Sequence, residues 1–89
     1  MAKRSEWSMS EDFNLIGYRI SGNLGWVHVA HSVSQMSHVK RSANSCKTRF
    51  LALEKIGNVY DIYTSLKEKM ISQGINPFTG EPDNNPNNT

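Results

Sequence analysis

Cysteine, long apolar runs and a strong charge bias are all scarce in this chain. Cys46 is the single cysteine, so no intrachain disulfide can form and a reducing compartment is expected. No apolar run reaches the length of a membrane span. The opening Met1-Ala-Lys-Arg-Ser-Glu6 lacks the apolar stretch of a secretory signal. The expectation is therefore an intracellular protein, nuclear in a eukaryote and cytoplasmic in a bacterial or viral setting. The net charge is only +2, from 10 Lys and Arg against 8 Asp and Glu, so partners must be read from where charge sits. There is no internal repeat, phosphate-binding loop or convincing carboxylate pair. The 3 prolines all fall within 75–89, among five asparagines and almost no apolar residue, which predicts a disordered tail. Asn87-Asn88-Thr89 fits a glycosylation acceptor, but nothing at the start of the chain directs export.

The 89 residues, 37% of them hydrophobic, give room for one small domain. Its organising stretch is Arg41 to Ile56. Ser42 is suited to cap a helix, because its hydroxyl can accept from an otherwise unpaired first-turn amide. Cys46, Phe50, Leu53 and Ile56 recur on one helical face. Asn44, Lys47, Thr48, Leu51 and Lys55 point the other way, and Gly57 is expected to end the helix in a left-handed conformation. Between Lys40 and Lys55 five Lys or Arg face one acid, Glu54. Such a face suits a DNA major groove, and equally describes a solvated amphipathic helix.

Upstream, Ser8-Met-Ser-Glu11 is a capping box, with Glu11 and Asp12 complementing the helix dipole. It predicts a first helix over 9–20, built on Leu15, Ile16, Arg19 and Ile20, with Phe13 and Tyr18 partly buried. Ser21 to Gly25 is a turn. Trp26, Val29, Ala30 and Val33 predict a short second helix over 26–33, followed by a polar connection over 34–40. Asn58 can cap a fourth helix over 59–73, striped by Val59, Ile62, Tyr63, Leu66 and Met70 and closed by Gly74. That helix is expected to cover the core; a homodimer contact is the sharper reading. Residues 1–6 form a short basic arm with Lys3 and Arg4. Asn76-Pro-Phe-Thr-Gly-Glu81 reads as solvated tail rather than as a docking motif.

Trp7-Ser-x-x-Glu11-Asp12-x-x-Leu15, Trp26-x-x-Val29-Ala30 and Arg41-Ser-x-x-x-Cys46-x-x-Arg49-Phe50 together resemble the Myb/SANT repeat, over about half of the chain. The resemblance implies an all-α fold: a three-helix Myb/homeodomain-like bundle over 7–57, an additional helix over 58–74 and a disordered tail over 75–89. It places Trp7, Trp26 and Phe50 at the centre, with Leu15, Ala30 and Cys46 in the core. It implies a helix-turn-helix variant whose third helix enters the major groove. Lys47, Asn44 and Thr48 would face bases; Lys40, Arg41, Lys55, Lys3 and Arg4 would hold phosphates. Arg49 would touch phosphate or pair with Glu11 or Asp12, with internal pairing preferred. Leu51 departs from the family, which often has Asn there, and the 34–40 connection is longer than usual. A single repeat also neutralises few phosphates.

The implied function is a small Myb-like protein that binds double-stranded DNA in transcription regulation or another DNA transaction. A SANT-like module that binds a protein of chromatin or of the transcription machinery is the alternative. His28, His31, His38 and Cys46 are of zinc-ligating types, but their spacing fits no standard site and Cys46 falls on the apolar face. No metal, cofactor or enzymatic activity is expected.

Overall fold

The computed structural model describes residues 6–22 and 25–82. Four helices run in the order α1 (Met9–Gly22), α2 (Trp26–Ser37), α3 (Ala43–Ile56) and α4 (Val59–Ser72). Among the described residues there is no strand, only an isolated bridge between Ile75 and Pro82. None of the helices is long and apolar enough to cross a membrane.

The capping box starts α1. The Ser8 amide donates to Glu11 Oε1 at 3.0 Å, and the Glu11 amide donates to Ser8 Oγ at 3.2 Å. The helix runs two residues beyond the expected end, and Phe13, only 1% exposed, is far deeper than its pattern suggested. The second helix continues through Val33 to Ser37, so most of the 34–40 connection is one more turn of α2. Met36 is half-buried there and Ser37 Oγ donates back to the Val33 carbonyl at 2.9 Å. His38 ends the helix at φ 62° while its amide bonds the Ser34 carbonyl at 2.9 Å. This is the left-handed cap that glycine or asparagine usually supplies.

Ser42 caps α3 as expected, its hydroxyl accepting from the Ser45 amide at 3.0 Å. Two details differ. Gly57 closes α3 at φ 175°, an extended conformation rather than a left-handed one. Ile56 is 74% exposed, although Leu53 in the same last turn is buried in the core. Asn58 caps α4 through bonds of 2.8 Å and 3.2 Å from the Tyr60 and Asp61 amides.

The centre is α1, whose longest interfaces are with α4 and α2, while α3 packs chiefly on α2 and only lightly on α1 and α4. Gly17 permits the close approach of α4: a Cβ there would lie 3.1 Å from the Tyr63 ring. One turn earlier, Phe13 stacks on the same ring with centroids 4.3 Å apart. The aliphatic side chains Leu15, Ile16, Val29 and Val33, with Cys46, fill the middle and are fully buried. The expected three-aromatic centre is therefore revised. Trp26 meets Phe50 edge-on at 5.5 Å, but Trp26 and Trp7 are both half-buried and pack against the aliphatic core rather than filling it.

Residues 75–82, expected as disordered tail, fold back onto α1. Pro77 is buried, and Asn14 Nδ2 donates to the Pro77 and Phe78 carbonyls at 3.0 Å and 3.3 Å. Phe78 packs edge-on against Phe13 at 5.3 Å. The turn is closed by Gly80 at φ 75°, where a Cβ would collide with Ser10 Oγ. Residues 83–89 lie outside the described residues.

Candidate nucleic-acid interface

The outer face of α3 carries Asn44, Thr48, Leu51 and Lys55 at spacings of four, three and four, with Lys47 beside them, and all five are exposed. At 1.5 Å per residue this line is about 16 Å long. The opposite side of the helix is anchored in the core by Cys46, Phe50 and Leu53. Lys40, just before the helix, is exposed too, so three lysines stand along the line. An open groove of roughly 600 Å³ runs beside it, walled by Trp7, Lys40, Arg41, Asn44, Thr48 and Arg49 among others.

Arg41 lines the same groove but is only 8% exposed, and its guanidinium is engaged by an acid rather than left for the phosphate contact expected of it. Arg41 Nε donates to Glu11 Oε2 at 2.8 Å and Nη2 donates to Glu11 Oε1 at 3.0 Å. Nη2 also reaches the Glu6 carbonyl at 2.8 Å, and the guanidinium lies 4.3 Å from the centre of the Trp7 ring. Trp7 therefore acts as a lid over a buried ion pair. The Arg41 amide donates to Ser34 Oγ at 2.7 Å, tying the entry of α3 to the last turn of α2.

Arg49 makes the second inward pair. Its Nε and Nη2 donate to Asp12 Oδ1 and Oδ2 at 2.8 Å and 2.7 Å, the internal pairing that was preferred for it. Both guanidinium forks grip carboxylates of the first turn of α1, so they set the tilt and roll of α3. Burial pushes the Glu11 carboxyl up, but the hydrogen bonds from Arg41 and Ser8 and the Arg41 charge outweigh it and hold the group below its usual range. The hydrogen bond to Asp12 raises the pKa of Arg49 further.

Burial raises the pKa of the Cys46 thiol. It packs in the core as a small apolar group, whereas His28, His31 and His38 are exposed. Among the described residues no three potential metal ligands come together. Lys3 and Arg4 lie outside the described residues. The expected surface is thus divided: Lys40, Asn44, Lys47, Thr48 and Lys55 face outward together, and Arg41 faces inward. The role of Trp7 as a lid was not legible, because the partner beneath it comes from far along the chain. No family model, curated protein or solved structure matches this chain.

Proposed function

We propose that this is a small, non-enzymatic, Myb-like DNA-binding protein whose α3 enters the major groove, acting in transcription regulation or another DNA transaction. The observation that carries the reading is the outward line of Asn44, Lys47, Thr48 and Lys55 on a helix anchored from behind. In this reading Asn44 pairs with an adenine edge, Lys47 donates to guanine O6 or N7, and Thr48 contacts a neighbouring base. Lys40 and Lys55 hold phosphates at the two ends of the helix. Arg41 and Arg49 position α3 through their carboxylate pairs with Glu11 and Asp12.

Three outward lysines make a modest electrostatic footprint, so a second DNA-bound unit adds affinity. Pairing of two copies through the helix at 58–74, or a neighbouring DNA-bound protein, supplies that unit. One observation favours a SANT-like protein-binding module instead: Leu51, in the middle of the line, is 48% exposed.

Fluorescence-anisotropy titration of a random-sequence duplex at low and moderate salt tests the reading, with wild type and Lys47→Glu side by side. Salt-sensitive binding that Lys47→Glu weakens is the expected result. Absence of binding at low salt overturns it, and a pull-down for a protein partner then follows.

A further inference from the structure

The exposed leucine also bears on which DNA sequences the helix selects. Leu51 stands between Thr48 and Lys55 on the outer line, one turn beyond Lys47. It has no place in the core, which is filled on that helix by Cys46, Phe50 and Leu53. Its nearest companions on the face are polar and can make directional bonds to base edges; a leucine cannot. The major groove offers one apolar group to an aliphatic side chain, the C5-methyl of thymine.

Resting on the reading of α3 as a duplex-binding helix, we propose that Leu51 is a specificity-determining residue that selects thymine by burying its C5-methyl group. Asn44 and Leu51 are seven residues apart, about 10 Å along the helix, which spans about three base-pair steps. An adenine read by Asn44 and a thymine read by Leu51 then fall within one short site, with Lys47 and Thr48 over the intervening pairs. Lys40 and Lys55 bracket this segment and supply affinity without sequence preference. The chemistry recognised is a hydrocarbon methyl, so the signal is independent of the hydrogen-bonding pattern of the base pair.

The test uses the full chain and a duplex library with a randomised core. Bound duplexes are recovered, and the selected pool is amplified once with thymidine and once with deoxyuridine, which lacks only the methyl. The uracil pool is expected to bind about fourfold more weakly per contacted thymine, the value of one buried methyl-sized group. Leu51→Ala is expected to bind both pools alike. Because Leu51 is exposed and alanine is a good helix former, its thermal unfolding serves as a control for folding. Equal binding of the two pools by wild type overturns the thymine assignment and leaves the DNA reading standing. Salt-independent or undetectable binding of both pools overturns the DNA reading and the thymine assignment with it.

Discussion

Arg41 and Glu11 form a two-bonded ion pair, 2.8 Å and 3.0 Å long, whose side chains are 6% and 4% exposed. One residue opens the approach to α3 and the other lies in the first turn of α1. Glu11 also closes the capping box, so one carboxylate serves a helix start and a tertiary contact. Removing Arg41 leaves a buried carboxylate without its counter-charge, which costs about 3–5 kcal/mol. Arg41→Ala is therefore expected to lower the thermal midpoint sharply, whereas Lys40→Ala next to it leaves the midpoint within a degree or so. Equal, small effects of both substitutions in a melting experiment rule out the buried pair.

Acid destabilises the fold through the same carboxylate. The Glu11 pKa is lowered in the folded chain from its ordinary 4.5. A lowered carboxylate pKa contributes stability that is complete above the unfolded value and is lost as pH falls through the folded value. The contribution is thus constant above about pH 4.5 and disappears below it. Denaturant melts across pH 2–6 are expected to show this slope in wild type and a shallower one in Glu11→Gln.

Phe13 and Trp7 separate two layouts of the aromatic residues. Phe13 is enclosed by Tyr63 and Phe78, and Phe13→Ala is expected to cost about 3–5 kcal/mol. Trp7→Ala opens the lid over Arg41 without emptying the centre and is expected to cost less. Chemical denaturation of both variants decides the order, and the reverse order restores a centre built on Trp7.

What could be read along the chain was local. The capping box at Ser8 and the caps at Ser42 and Asn58 depend on residues three or fewer apart, and each forms as its sequence indicates. The buried face of α3 follows from helical spacing, apart from Ile56, and the α4 stripe of Val59, Ile62, Tyr63, Leu66 and Met70 is turned inward with Met70 buried and the others half-buried. The misjudged features depend on distant partners. Arg41 looked like a phosphate ligand because its acid lies 30 positions away. Residues 75–82 looked like tail because their anchor, Asn14, lies 63 positions from Pro77. The end of α2 was hidden differently: Ser34, Gln35 and Ser37 break the apolar pattern, and a histidine takes the terminating conformation that glycine advertises.

Gly80→Ala is expected to detach the 75–82 segment selectively. The substitution places a Cβ against Ser10 at a positive φ that alanine disfavours, a strain of about 1 kcal/mol or more. Amide hydrogen exchange is expected to accelerate at Asn76 and Gly80, whose amides bond the Glu81 and Asn76 carbonyls. The centre of α2 is expected to stay protected. Uniform acceleration across the chain contradicts a separately anchored segment.

Salt dependence reports which cations meet a duplex. With Lys40 and Lys55 as the phosphate contacts, the slope of log K against log salt is about −1.8, from about −0.9 per neutralised phosphate. Replacing either lysine by alanine is expected to reduce it by about 0.9. A slope that Arg49→Ala reduces equally, in a variant that still melts cooperatively, contradicts the inward assignment of that arginine.

The light seating of α3 against α1 and α4 has an evolutionary consequence. Positions 44, 47, 48, 51 and 55 support nothing beneath them, so drift there leaves the folding equilibrium almost untouched. Selection on what α3 contacts and selection on whether the chain folds therefore act on disjoint sets of residues. On the proposed reading of α3 as the contact helix, a lineage carrying this scaffold can change targets by single substitutions, without first accumulating stabilising mutations elsewhere.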